Sequence, residues 1–191
     1  MGMATTPVRE RTRSEIRQHA MELFAEKGYD ATSLQDIASV VGCSKATVLY
    51  HFNGKPAVLA SVLEPAANLV AELVAEAGQL PPAAAQERVI TGFTEIVVRF
   101  RGLISVLNDV VPKMDQMPEF HAMVEVGMVL TRLLAGSDDP RQLGLAGYAI
   151  QGLLGECHTP VQRTDDDLRD LAVTAMHRLL VAPPPDSAPA T

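Results

Sequence analysis

The sequence predicts an all-α protein, on three observations. Hydrophobic residues make up 47% of 191 residues but aromatics only 4%, with no Trp. The core must therefore come from Ala, Val, Leu, Ile and Met, of which Ala and Leu favour helix. Apolar positions repeat at helical spacing between Gly and Pro breaks, and no alternating run of strand type is present. This length can hold one domain or two small ones.

The elements follow in order. Residues 1–11 are polar with scattered arginines and read as a flexible arm. Thr12 opens "TRSE", a capping box closed by Glu15. Ile16, Ala20, Leu23 and Phe24 then form one helical face, and Gly28 supplies a stop. A second helix is capped by Thr32 or Ser33, carries Leu34, Ile37, Ala38 and Val41 on one side, and ends at Gly42. Ser44 caps a third, short helix to about Tyr50, and "HFNGK" is a turn. Pro56 suits the first turn of a fourth helix, which carries Val58, Leu59, Val62, Leu69, Leu73 and Val74, with Pro65 as a kink.

"GQLPP", near 78–82, is the clearest break. Helices are expected beyond it at roughly 83–101, 102–111, 116–135, 139–156 and 165–181, with Pro112, Pro118, Pro140 and Pro160 at the joints. The tail 182–191 is proline-rich and reads as disordered. The expected division is an arm over 1–11, a first domain over 12–55, a larger helical domain over 56–181, and the tail.

Composition excludes several classes. Cys43 and Cys157 are far apart, with neither disulfide-framework nor zinc spacing, which suits a reducing cytosol. The N-terminus lacks an apolar signal core. The longest uncharged stretch, "QLGLAGYAIQGLLG", falls short of the ~20 residues of a membrane helix. The expected location is the cytoplasm, with no membrane partner. The net charge is −7, distributed as +1 over residues 1–55 and −8 over 56–191. An acidic chain can still bind a polyanion through a local basic face, and the first segment is the place for one.

Residues 33–52 have helix-turn-helix logic. Ala38 is small where two helices cross, Gly42 allows the turn, and Val48 can pack back between the helices. Ser44 leaves an exposed, positive helix N-terminus suited to a phosphate. A helix of this size enters a DNA major groove.

These residues carry a resemblance. Ile16, Ala20, Leu23, Phe24, Gly28, "TSLQDIA" (32–38), Gly42, Ser44, Thr47, "YHF" (50–52), Lys55 and Leu59 together resemble the tetracycline-repressor (TetR) family of bacterial regulators, over about residues 11–63. The resemblance implies a three-helix DNA-binding domain and a larger helical domain that dimerises and binds a small effector. By matched position it implies that Thr32 or Ser33, Ser44, Lys45, Thr47, Tyr50, His51 and Lys55 approach DNA, with Lys55 meeting a phosphate. The chain departs from many relatives at Ala46, where they have Gly, and at Leu49, where they have a Tyr that touches DNA. The Ala46 methyl can instead meet a thymine methyl, and Tyr50 can take over the lost contact. Phe52 and Cys43 read as core, and His51 as a structural hydrogen-bonder more than a base reader.

The C-terminal region carries weaker signals. Met114, Met117, Met123 and Met128 flank His121, a composition that suits either an adaptable pocket or ordinary core. Phe93, Phe100, Asn108, Gln151, Glu156 and His158 complete the candidate effector lining. Cys157 beside His158 makes a poor metal pair, because neighbours on a helix point apart. Asp165, Asp166 and Asp167 precede a helix whose dipole they complement, and the other ligands of a calcium loop are missing. No metal or cofactor is expected. Gly144, Gly147, Gly152 and Gly155 suggest close helix contact or a face shaped for another subunit. The resemblance puts a homodimer interface on the last two long helices.

The expected function is a dimeric transcriptional regulator, a repressor that binds a near-palindromic double-stranded DNA operator and is released by a small apolar or amphipathic effector. The alternative is an effector-independent DNA-binding protein, controlled by a protein partner or organising the nucleoid. An enzyme ranks last, since no catalytic constellation, phosphate-cradling loop or metal set is present.

Overall fold

The computed structural model describes residues 5–157 and 163–181, with the backbone alone at 5–7, 105 and 107–109. The described residues form helices and no strand. The helices are α1 (Thr5–Lys27), α2 (Leu34–Val41), α3 (Lys45–His51), α4 (Lys55–Ala77), α5 (Pro82–Arg99), α6 (Arg101–Val110), α7 (His121–Ala135), α8 (Pro140–Glu156) and α9 (Asp165–Leu180). Two 3₁₀ segments, Val111–Gln116 and Pro118–Phe120, join α6 to α7.

The chain forms two compact units, one of Met1–Asn68 with Gly102–Val124 and one of Leu69–Arg101 with Glu125–Thr191. The boundary expected at Lys55 is therefore displaced. Val58, Leu59, Val62 and Leu63 of α4 are buried together with Ile16, Ala20, Phe24, Ile37 and Val48 of the first unit. These side chains are what the short α2 and α3 need as a packing base, since helices of this length are unstable alone.

Two other expectations change in the first unit. α1 starts at Thr5, so residues 5–11 are helical rather than a free arm. The Thr12 capping box does not form. Thr12 Oγ1 donates instead to the Val8 carbonyl one turn back, at 3.2 Å. The helix expected from 116 begins only at His121, because prolines 112 and 118 have no N–H to give a continuing α-helix and open 3₁₀ turns instead. Met114 and Phe120 are buried from those turns, and Lys113 pairs with Asp30 at 2.8 Å.

In the second unit α9 packs on both α5 and α8. Val89, Ile90, Phe93, Leu134, Ala146, Leu153, Leu168, Ala172 and Met176 are buried there. Arg169 pairs with Glu95, and His177 with Glu87, along the α5–α9 contact. Thr164 caps α9 by accepting the Asp167 N–H at 3.1 Å, with the three aspartates in its first turn, as the sequence led one to expect. Gly144, Gly147, Gly152 and Gly155 have open space where a Cβ would stand, so they serve no close contact among the described residues.

α4 runs on through Pro65. Among the described residues it is the one helix long and apolar enough to cross a membrane by length and composition, with a mean hydropathy of 1.6. Counting uncharged runs misses it because Glu64 and Glu72 interrupt the helix. The arm residues 1–4, Pro160, His158 and the tail 182–191 lie outside the described residues.

Candidate nucleic-acid interface

The α2–turn–α3 segment is fixed at each joint by local chemistry. Ser33 caps α2: its Oγ accepts the Asp36 N–H at 3.1 Å, and its own N–H donates to Asp36 Oδ2 at 2.8 Å. The Ser33 hydroxyl, which donates to Asp36 Oδ2 at 2.5 Å, and the Ser33 N–H hold the Asp36 carboxyl below its ordinary pKa. Thr32, the other capping candidate, does not cap. At Gly42 the backbone turns left-handed, with φ 75°, a conformation that costs a residue with a Cβ about 1–2 kcal/mol. Cys43 N–H then closes on the Ala38 carbonyl at 2.9 Å. Ser44 caps α3, its Oγ accepting the Thr47 N–H at 3.1 Å and pairing with the Thr47 hydroxyl at 2.9 Å.

α3 has one buried side and one bare side. Val48 is fully buried, as is Ala38 of α2, and Phe52 seals the helix end. Opposite them Lys45, Ala46, Leu49 and Tyr50 are all exposed, in two pairs one turn apart. Leu49 is 47% exposed and Tyr50 69%. Lys45 has no ion pair within the described chain. Thr47 and His51 flank this stripe half-buried. His51 Nδ1 is buried without a hydrogen-bond partner. Burial, with the charges of Arg9 and Arg13, lowers the His51 pKa, so the ring stays neutral.

Two residues expected at DNA have partners within the chain. Thr32 is 1% exposed, and its hydroxyl donates inward to the Gly28 carbonyl at 2.8 Å. It fastens the α1–α2 connection and has no surface to offer a phosphate. Lys55 is similarly committed. Its ammonium donates to the carbonyls of Tyr29 at 2.8 Å, Thr32 at 3.0 Å and Asp30 at 3.4 Å, and lies 4.2 Å from the Tyr29 ring centroid. An ammonium has only three N–H donors. Lys55 thus fastens the α1–α2 loop, and its burial there lowers its pKa.

The structure brings in residues that the sequence reading missed. Arg13 of α1 donates from Nη1 to the His51 carbonyl at 2.7 Å, and its guanidinium sits 4.3 Å from the Phe52 ring centroid. Arg9, one turn earlier, sits 5.3 Å from the Tyr50 ring centroid. The signal available was the spacing of Arg9, Arg13 and Arg17 at every fourth residue, which aligns them on one helix face.

Residues 16–62 match the family model described as bacterial regulatory proteins, tetR family. That match covers about a quarter of the chain, the α1–α4 segment that holds α2 and α3. One curated relative is the biofilm operon icaADBC HTH-type negative transcriptional regulator IcaR of Staphylococcus aureus strain Newman. It is 46% identical over 46 residues, 24% of this chain and 25% of that protein. IcaR of Staphylococcus epidermidis is 38% identical over 52 residues, 27% and 28% of the two chains. The chain thus spans about a quarter of the length of the curated relatives it matches. Two solved structures share the fold. The tetR-family regulatory protein from Rhodococcus RHA1 has a TM-score of 0.67 at 19% identity, covering 88% of this chain and 96% of that one. The ketosteroid transcriptional regulator KstR2 of Mycobacterium tuberculosis has a TM-score of 0.66 at 14% identity, covering 88% and 93%.

Outside the matched segment, the effector candidates do not assemble as a set. Met114, Met117 and His121 lie in the first unit, and Phe93, Phe100, Met128, Gln151 and Glu156 in the second. Met114 and Phe93 are core, while His121, Met128 and Gln151 are exposed. Glu156 pairs with Arg163 at 3.0 Å. The Asn108 side chain and all of His158 lie outside the described residues. A shallow cavity of about 80 Å³ lies between α8 and α9, bordered by Tyr148, Gly152, Leu171 and Met176, and of the candidates only Glu156 reaches it. Small-molecule sites span roughly 300–1,000 Å³. Among the described residues no cluster of His, Cys, Asp or Glu could hold a metal ion.

Lys55→Met should lower the unfolding free energy by roughly 1–2 kcal/mol, the worth of half-exposed charged hydrogen bonds, measured by urea denaturation of the full chain. Unchanged stability with weakened DNA binding would restore the phosphate role.

Proposed function

We propose that the protein is a cytoplasmic transcriptional repressor that binds double-stranded DNA as a homodimer, with α3 in the major groove. The observation that carries this is the bare stripe of Lys45, Ala46, Leu49 and Tyr50 on a helix whose other side is sealed by Val48. Lys45 meets a phosphate, and the methyl groups of Ala46 and Leu49 suit thymine methyls. Ser33, Ser44, Thr47 and His51 remain flanking contacts, through backbone N–H groups where their side chains are already engaged. No catalytic step is part of this reading.

Dimerisation through α8 and α9 is supported by the second unit. Tyr148 is 76% exposed, Leu171 37% and Leu179 42%, and the α8 glycines have open space beside them. One short helix reads few bases, whereas a twofold dimer reads two half-sites about 34 Å apart. A small apolar or amphipathic effector, bound in the helical C-terminal region, would change the separation of the two recognition helices. It releases DNA only if it binds the DNA-incompetent shape more tightly. The small volume of the α8–α9 cavity favours a second reading, in which a protein partner controls binding without an effector.

Selection of a binding site from random duplexes, followed by footprinting, tests the proposal. A protected site with twofold symmetry is expected, and an asymmetric one contradicts the dimer. Lys45→Ala should weaken all sites alike and reduce the salt slope by about 0.9 per half-site. An unchanged slope removes Lys45 from the phosphate contacts. Tyr148→Asp should turn a dimer into a monomer by light scattering, because it puts a charge at the centre of the apolar face. A dimer that survives the change is held elsewhere.

A further inference from the structure

α3 has seven residues, and its last carbonyls find no partners within the helix. One of them, that of His51, is taken by Arg13 Nη1 at 2.7 Å. The same guanidinium covers the ring of Phe52, the C-terminal capping residue, which is 3% exposed. Its positive charge also complements the negative end of the helix dipole. One turn back along α1, Arg9 lies over the Tyr50 ring, and that ring meets His51 edge-on at 5.2 Å. Two arginines four apart thus grip three successive residues, Tyr50 to Phe52, where α3 ends.

We infer that Arg13 is a positioning residue for DNA recognition, which fixes the C-terminal half of α3 so that Tyr50 meets the groove in one orientation. This rests on the DNA-binding reading and deepens it. A flat, forked guanidinium can hydrogen-bond a carbonyl with its edge while its face stacks on a ring, and a lysine ammonium lacks that flat face. Val48 and the Ser44 cap fix the start and middle of α3, but the Phe52 end has no side-chain cap of its own. Arg13 supplies it from a helix distant in sequence. Its hydrogen bond and stacking point inward, toward the protein, so it acts through Tyr50 and His51 rather than on the DNA backbone.

The test uses the full chain with Arg13→Met, which keeps the apolar stem over Phe52, and Arg13→Lys, which keeps the charge. Operator affinity is measured over a salt series, and amide hydrogen exchange is measured on the free protein. The expected result for Arg13→Met is an affinity loss of about tenfold, the worth of one charge-assisted hydrogen bond, at an unchanged salt slope. Exchange should quicken at residues 49–52 while α1 and α2 stay protected. Arg13→Lys should recover only part of the affinity. A slope reduced by about 0.9 per half-site would make Arg13 a phosphate ligand and overturn the inference. Unchanged affinity, unchanged α3 exchange, or full rescue by lysine would also overturn it. If Arg13→Met does not fold, Arg13→Lys decides alone, by its affinity and its α3 exchange. If the wild-type chain selects no operator, the DNA reading fails, and the exchange result still judges the clamp.

Discussion

A helix of seven residues cannot hold itself together in water. The interface depends on that constraint, because such a helix takes its orientation from what it is packed against. Val48 is buried to nothing beside Ala38, and the left-handed turn at Gly42 sets the angle at which α3 leaves α2. Ser44 closes the first turn and Arg13 the last. Each support lies on the inner side or at an end, which leaves Lys45, Ala46 and Leu49 free of any structural duty, with Tyr50 steadied by Arg9 and His51.

The same division of labour explains how a chain of net charge −7 can approach a polyanion. The cations of the first unit are not equivalent. Lys55 is spent on three backbone carbonyls, Lys113 on Asp30, and Arg13 on the end of α3. Lys45 stands free on the outer stripe and Arg9 beside it. On the proposed reading, attraction to DNA comes from few groups, and apolar contact through Ala46 and Leu49 carries more of the recognition than charge counting alone would suggest.

Local patterns were readable in the sequence, and long-range ones were not. The caps at Ser33 and Ser44, the turn at Gly42 and the buried Val48 follow from residue types at fixed short spacing. The all-α class follows from periodicity. The start of α1 differs because the helix already runs from Thr5, so the Thr12 hydroxyl donates to the Val8 carbonyl one turn back instead of accepting a cap N–H. Pro112 and Pro118 mark joints in the sequence, but not that nine of the ten residues between α6 and α7 form 3₁₀ turns. The inward bonds of Lys55 and Thr32 are not legible in the sequence, because their partners lie up to 26 residues away, around the α1–α2 loop. Arg13 was overlooked for the same reason, since the carbonyl that it holds is 38 residues distant. The effector candidates rested on composition alone, and composition does not say which side chains converge.

The central claim is that the bare stripe of α3 reads base edges. Parallel selection from random duplexes with the natural chain and with Leu49→Ala tests it most directly, because Leu49 is exposed and holds nothing in place. The account predicts that both chains enrich related sequences which differ at one position in each half-site, where a thymine preference relaxes. Identical enriched sequences, or no enrichment by the natural chain, would contradict it.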